Sequence, residues 1–170
     1  TQKYGVISLA EYERLEGRQV THAVKNLEQR KHVKLDDFVI SMRSFQGGIE
    51  RVKALGCVRS SYVVIQAGDG ADKNYFAYLF KSGSYIQGLQ ATSSFIRDGQ
   101  DLNYGNFRQV RLPKPGSDEQ MQIAKFLDQE TARIDALART TEQSITLLKE
   151  RRAAFITAAV TGQIDLRGKQ

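Results

Sequence analysis

The chain has 170 residues, of which 41% are apolar, enough for one domain with a real core or one domain with an appendage. No run of 18 apolar residues occurs, which excludes an ordinary membrane-spanning helix, and the single cysteine excludes a disulfide framework within the chain. The net charge of +6 arises within residues 1–116, where seventeen Lys or Arg outnumber eleven Asp or Glu. This excess suggests a polyanionic partner, nucleic acid first, and ordinary solubility charge is an equal alternative.

The first elements are predicted to be a short helix and a strand. Ser8 stands three residues before Glu11 in a capping-box pattern, and Gly17 is a natural stop, so a helix is expected between them. Residues 38–42 are rich in β-branched and apolar side chains and predict a strand. The loop that follows contains Gly47 and Gly48, which permit unusual backbone angles.

The middle of the chain continues this mixture. Residues 58–66, VRSSYVVIQ, predict a second strand, with Cys57 just before it as a small core residue. Asp72 is expected to cap a helix over KNYFAYLFKS, and Ser84 to cap a second short helix. Residues 92–107 are expected to form a polar surface loop, and FRQVRLP a closing strand. Mixed strands and helices in this order predict an α+β domain.

The last third predicts one long helix. Ser117 followed by Gln120 has capping-box spacing, no Pro or Gly occurs between Asp118 and Thr161, and Gly162 suits the position after a helix. Such a helix is about 66 Å long at roughly 1.5 Å per residue. The sequence therefore predicts a globular domain over residues 1–116, a long helix over 117–162 and a tail over 163–170.

The helix carries apolar residues at coiled-coil spacing, with an imperfect seam. A lone helix of this kind leaves its stripe in water, so a partner helix is expected, from another chain or from a part of the same protein beyond this sequence. A helix folded back on its own domain is the alternative, against which the length argues. The predicted helix–helix contacts are Ile134, Ala138, Thr141, Ile145, Leu148 and Phe155.

No catalytic set is recognisable in the sequence. There is no Walker-type phosphate loop, no Asn/Asp-Pro-Pro-aromatic run of the amino-methyltransferase kind, and no acidic-x-Lys nuclease cluster. His22 and His32 have no cysteine or acidic partner at metal-ligand spacing, so no metal site is expected. We therefore expect a binding protein and not an enzyme, with an enzyme of unrecognised site as the alternative.

Two segments are rich in side chains that suit nucleic acid. Arg and Gln can bond guanine and adenine edges in two places at once, while Lys and Ser suit phosphates. A solvated loop is the alternative for each segment. The candidate DNA contacts are Arg43, Ser44, Gln46, Arg51 and Lys53 in the first, and Ser93, Ser94, Arg97, Asn103 and Tyr104 in the second.

The residues from Arg111 onward resemble the conserved helical region of type I restriction–modification specificity subunits, or S subunits. The family pattern is an apolar residue and Pro, a further Pro, an acidic-Gln pair, Ile-Ala and then Leu-Asp. The matching residues, in order, are Leu112, Pro113, Pro115, Glu119, Gln120, Ile123, Ala124, Leu127 and Asp128. VKLDDFVIS and NYFAYLFKS are similar to recurring pieces of the family's target recognition domain, although Leu35-Asp36-Asp37 stands where many members carry Gly-Asp.

This resemblance implies a role for each predicted region. Residues 1–116 would be a target recognition domain that reads one half of a bipartite site on double-stranded DNA. The helix would act as a spacer, would pair with a helix from a second copy or from the missing half of the same subunit, and would dock the methyltransferase and restriction subunits. The chain itself would bind no cofactor, and S-adenosylmethionine would be held by the partner methyltransferase subunits.

The expected location is the cytoplasm, which a lone cysteine fits. The alternative function is a coiled-coil dimerisation or scaffold protein whose basic domain binds nucleic acid without sequence preference.

Overall fold

The computed structural model describes residues 6–20, 27–41, 48–92, 94–96, 99–101 and 104–164. The chain divides into two compact units, Thr1–Ala124 and Lys125–Gln170. Small antiparallel sheets and short helices precede one long C-terminal helix, which confirms the predicted α+β class.

The first unit contains all the strands found in the described residues. They are β1 (Lys31–Val33), β2 (Phe38–Ser41), β3 (Glu50–Arg51), β4 (Gly56–Val58), β5 (Tyr62–Ile65), β6 (Ser94–Ile96) and β7 (Gly99–Asp101). The helices are α1 (Leu9–Glu16), α2 (Lys73–Leu79), α3 (Gly83–Thr92), α4 (Tyr104–Phe107) and α5 (Ser117–Val160), with a short 3₁₀ turn at Leu27–Gln29. The strands form three antiparallel sheets of order β3-β2-β5, β1-β4 and β6-β7.

Strand β2 is the centre of the fold because it is buried on both faces. Successive strand residues point to opposite sides, so Phe38 and Ile40 enter a large cluster with α2 and α3, while Val39 enters a small cluster with Val33 and Val52. The edge strands β3 and β5 pair with it on either side. An uninterrupted run of β-branched and aromatic residues is typical of such a doubly covered strand.

Aromatic rings fill the larger cluster. Phe80 lies at its middle, with its ring centroid 5.1 Å from Phe38 in an edge-to-face arrangement and 5.2 Å from Tyr85. Helix α2 is placed there by its cap, since the Asp72 carboxylate accepts hydrogen bonds from the backbone N–H groups of Asn74 and Tyr75, as the sequence predicts. The cluster is therefore held by ring packing on an N-capped helix.

Several local predictions are wrong. The predicted strand over residues 58–66 is divided by a turn between β4 and β5, and Cys57 is exposed on the two-stranded β1–β4 sheet, outside the core. Within residues 92–107, predicted as a loop, lie the β6–β7 pair and helix α4, and residues 108–113 form no strand. Helix α3 begins at Gly83, and the Ser82 hydroxyl, not Ser84, accepts from its first turn.

Helix α5 confirms the predicted long helix almost to the residue. It runs for 44 residues from Ser117 to Val160, and Gly162 follows it with φ 73°. The N–H groups of Gly162 and Gln163 donate back to Ala159 and Ala158, which is the Schellman pattern of a helix end. The first unit extends to Ala124 and so includes the first two turns of this helix.

Gly48 should tolerate no side chain. It has φ 73°, as its predicted freedom suggests, and a Cβ there would stand 2.2 Å from the carbonyl oxygen of Phe80. We expect Gly48→Ala to lower the free energy of unfolding by about 3 kcal/mol or more, from backbone strain and steric overlap together. Urea denaturation followed by tyrosine fluorescence reports this, because all seven tyrosines lie in residues 1–116.

Gly17→Ala is the matched control. Gly17 has φ 67°, but no atom lies within 4 Å of the place that an alanine methyl group would take, so only the left-handed backbone penalty of about 1 kcal/mol is expected. Equal losses from the two substitutions would show that the close approach of Phe80 contributes nothing.

Candidate nucleic-acid interface

The structure places only part of the predicted DNA-contact set. Lys53 and Tyr104 are exposed, Arg51 lies on strand β3, and Ser94 begins strand β6. These residues stand on separate elements, and α4, which carries Tyr104, packs against α3. Arg43, Ser44, Gln46, Ser93, Arg97 and Asn103 lie outside the described residues and remain predictions.

The described residues on both sides of residues 42–47 are anchored. Ser41 closes strand β2 and pairs with Tyr62 of β5. On the other side, Gly48 lies against Phe80, and Ile49 is only 1% exposed within the larger core cluster. Proteins commonly carry binding residues on segments that join elements fixed by a packed core.

The Arg51 guanidinium is bonded to side chains of the protein itself. Its Nε donates to Asp36 Oδ1 at 2.7 Å, its Nη2 also contacts that oxygen, and its Nη1 donates to Asn74 Oδ1 at 2.7 Å. Lys73 pairs with the other Asp36 oxygen. The guanidinium thus joins β3, the turn before β2 and the start of α2, and its described role is to position these elements.

The turn that supplies Asp36 has an unusual backbone. Asp36 has φ 70°, a conformation that Asp and Asn tolerate better than most residues. Its neighbour Asp37 is buried and accepts a hydrogen bond from the Lys34 N–H at 2.8 Å. The hydrogen bond from Lys73, followed by that from Arg51, holds the pKa of Asp36 below its ordinary 3.8 despite some desolvation.

Lys53 and Tyr104 are more accessible to a ligand than Arg51. Lys53 is exposed, and its backbone N–H donates to the carbonyl of Val6 at 2.9 Å. Its backbone is therefore fixed while its side chain reaches solvent. Tyr104 is 55% exposed and stacks on Phe107, with ring centroids 5.9 Å apart and planes 27° from parallel. A lysine suits a phosphate, and a supported ring suits a base or sugar face.

Gln120 connects the core to the long helix. Its side chain is 0% exposed; Oε1 accepts from the Asp72 N–H at 2.8 Å, while Nε2 donates to the carbonyls of Pro115 at 2.7 Å and Gly70 at 3.1 Å. This differs from the predicted capping box, in which Gln120 would reach back to Ser117. Two of the three bonds instead reach backbone groups about fifty residues away, and Ala124 is buried one turn later.

The second unit exposes the predicted helix–helix residues. Ile134, Leu148 and Phe155 are each more than 60% exposed, and Ala138, Thr141 and Ile145 are exposed as well. Leu137, a further apolar residue on the same side of the helix, is 68% exposed. The Thr141 hydroxyl donates to the Leu137 carbonyl at 2.9 Å, so its hydrogen-bonding need is met within the helix.

Neither a scan against protein-family models nor a search of curated proteins finds a match to this sequence. Within the described residues, no three His, Cys, Asp or Glu side chains are grouped closely enough to hold a metal ion. Over the same ranges, no helix combines the length and apolar character needed to cross a membrane.

Asp36→Asn should cause a pH-dependent loss of stability. Asparagine tolerates the same φ and keeps the shape but removes the charge that faces Arg51 and Lys73. Because the folded-state pKa is lowered from 3.8, wild type should be more stable by about 1 kcal/mol well above that value, since partly exposed ion pairs are screened. The difference should disappear as pH falls through the folded-state pKa. Urea denaturation between pH 2.5 and 7 measures it, and a pH-independent difference would contradict the charge explanation.

Gln120→Glu should destabilise the first unit strongly. A carboxylate can still accept from Asp72 N–H but cannot donate to Gly70 and Pro115, and it brings a buried charge against their carbonyls. We expect a loss of about 2–4 kcal/mol in unfolding free energy by tyrosine fluorescence. Gln122→Glu is the control, because it places the same charge on an exposed position of the same helix and should change stability by less than about 0.5 kcal/mol. Similar losses in both variants would rule out the hydrogen-bonding role.

Proposed function

We propose that this chain is a DNA sequence-recognition subunit of a type I restriction–modification system. In this role it reads one half of a bipartite target and docks methyltransferase and restriction subunits, which carry the catalysis and the S-adenosylmethionine. Its place of action is then the cytoplasm, where the DNA is.

The observation that carries the proposal is the coincidence of the family-like motif with the helix junction. Among the motif residues, the buried Gln120 side chain forms three hydrogen bonds, and Pro115 supplies one of the carbonyls. Ala124 is part of the core, and the partly buried Ile123 packs against it. Tyr75 Oη also donates to the Pro113 carbonyl at 3.3 Å. The residues of the motif that resembles S subunits therefore hold the start of the long helix against the folded domain.

Charge supports DNA as the ligand of the first unit. The whole net positive charge of the protein lies in residues 1–116, whereas residues 117–170 hold equal numbers of acidic and basic side chains. A basic domain attracts the phosphate backbone, and its affinity falls with salt as counterions are released. Lys53 and Tyr104 are exposed members of the predicted contact set. Lysine is a side-chain type that contacts phosphates, and tyrosine is one that contacts bases.

The second unit supports an assembly role. Its exposed Ile, Leu and Phe side chains form a stripe that would gain from burial against another helix. The same stripe also fits the alternative, a coiled-coil scaffold whose basic domain binds nucleic acid non-specifically. Sequence selectivity therefore separates the two functions.

The decisive experiment is selection of duplexes from a random-sequence DNA pool by the purified chain, alone and with type I methyltransferase subunits. The proposal expects enrichment of a short defined sequence. Retention of DNA with no enriched sequence in either format would contradict sequence recognition and favour the scaffold function. Absence of any DNA retention would contradict both.

Lys53→Ala should weaken binding to all duplexes by a similar factor. A lysine that contacts phosphate contributes affinity without sequence information, so the slope of log affinity against log salt should fall by about 1. Arg139→Ala is the matched control, since it removes one exposed positive charge from the helix, outside the proposed contact set. Salt-dependent fluorescence anisotropy measures both, and equal effects of the two variants would contradict the assignment of Lys53.

A residue that contacts a base should change sequence selectivity in the same anisotropy assay, unlike a residue that contacts a phosphate. If Arg43 or Arg97 makes a bidentate base contact, alanine at that position should cost about 1–3 kcal/mol on the selected sequence and relax selectivity there. Unchanged binding to the selected sequence in both variants would remove these residues from the contact set.

A further inference from the structure

The two-stranded β1–β4 sheet concentrates the positive charge of the protein. Residues 29–35 contain three Lys or Arg, residues 52–59 contain two, and neither stretch contains an Asp or Glu. These two stretches therefore carry a net charge of +5 out of the +6 of the whole chain, and the remaining residues are almost neutral together. Charge gathered on one small element is the electrostatic footprint of a surface that binds a polyanion.

One face of this sheet packs on the protein, and the other faces solvent. Val33 is buried in the small core cluster. Lys31 lies on the same side of β1, and its ammonium group donates to the Tyr62 carbonyl at 2.7 Å. Because successive strand residues point to opposite faces, the cross-strand pair His32 and Cys57 lies on the other side, where both residues are exposed.

The residues that flank this exposed pair extend the same face with cations. We define the outer face as Arg30, His32, Lys34, Cys57 and Arg59. Its arginine at position 30 is half-buried, and its other members are exposed. Among the described residues, the salt bridges engage Arg51, Lys73 and Lys81, and none engages a cation of the outer face.

The acidic side chains nearest in sequence leave this positive charge largely uncompensated. Asp36 and Glu50 are bonded to other cations, and Asp37 is buried. Glu28 is exposed in the 3₁₀ turn two residues before Arg30. The outer face therefore has one exposed carboxylate near its edge against three cations.

Two arginines of the outer face stand opposite each other. The antiparallel register pairs Lys31 with Val58, so the next position along the sheet brings Arg30 opposite Arg59. Like charges directly opposite in a sheet are destabilising, and an anion between the two guanidinium groups would remove that penalty. Arginine also binds phosphate through two parallel hydrogen bonds. The arginine pair therefore indicates a phosphate group as its ligand.

The shape of the sheet suits duplex DNA. Neighbouring strands lie about 4.8 Å apart, and the major groove, about 12 Å wide, admits a two-stranded ribbon. Arg30 and Arg59 lie at one end of the outer face and Lys34 at the other, so cations at both ends can reach the phosphate backbone. His32 lies between them, and an imidazole ring can hydrogen-bond a base edge.

We propose that the outer face of the β1–β4 sheet lies in the major groove of duplex DNA, with Arg30, Arg59 and Lys34 on phosphates and His32 towards the base edges. The inference rests on the proposed function and deepens it, because it names a contact surface outside the two segments that the sequence predicts.

Protection of Cys57 from alkylation tests the surface in the wild-type chain. Cys57 is the single cysteine and lies on the outer face, and uncharged iodoacetamide reacts with its thiol without repulsion from DNA. With a duplex from the retained pool at ten times its dissociation constant, about a tenth of the protein is free, so alkylation should slow about tenfold. Mass spectrometry of the Cys57 peptide measures the rate, with the methyltransferase subunits present in both arms if binding needs them. An unchanged rate at saturating duplex overturns the surface.

Gln143→Cys in a Cys57→Ser background is the control for this protection. Position 143 is exposed on the long helix, so its alkylation rate should not change when DNA is added. Equal slowing at positions 57 and 143 would show general shielding by DNA and would overturn the assignment of the outer face.

The arginine pair is tested by salt-dependent fluorescence anisotropy. The double variant Arg30→Gln with Arg59→Gln keeps most of each stem but removes two phosphate contacts, so the slope of log affinity against log salt should fall by about 2. Arg139→Gln with Lys149→Gln is the matched control, since it removes two exposed positive charges from the long helix and should leave the slope unchanged. Equal changes in the two double variants overturn the phosphate contact.

His32→Ala separates base contact from phosphate contact. Loss of a base contact should reduce the preference at one position of the enriched sequence by about fivefold or more and leave the salt slope unchanged. Lys34→Gln should do the reverse, lowering the slope by about 1 and keeping the preference. An enriched sequence that is the same with and without the His32 side chain overturns its base-facing role.

These outcomes separate the inference from the proposed function. A chain that enriches a DNA sequence while Cys57 stays unprotected overturns the contact surface and leaves sequence recognition standing. A chain that enriches no sequence but is protected at Cys57 by any duplex supports the contact surface and overturns sequence recognition. Absence of any DNA retention overturns both.

Discussion

The buried amide of Gln120 is the interaction on which the arrangement of the first unit depends. It bonds the Asp72 N–H, while the Asp72 carboxylate caps α2, so one short turn serves both the aromatic core and the start of α5. An amide with no solvent exposure must find its partners within the protein, and all three of its bonds go to backbone groups. The long helix therefore begins as part of the core.

Local chemistry explains which predictions from sequence are confirmed. Ser8, Asp72 and Gly162 act within a few residues of their own position, and each lies where the pattern places it. Gln120 shows the limit. Its distance from Ser117 suggests a capping box, but two of its three partners are Gly70 and Asp72, and only the folded chain brings that turn within hydrogen-bond distance. Cys57 is misjudged for a similar reason, because a two-stranded sheet leaves it uncovered.

The candidate interface also shows what sequence alone does not predict, at the level of single residues. Arg51 and Lys53 are two residues apart and equally suited to DNA by side-chain type. The structure gives them different environments, because Asp36 and Asn74 bond the guanidinium while the lysine stays exposed. Composition can therefore find a basic segment, but the sorting of its members into positioning and contacting residues depends on an acidic turn fifteen residues earlier.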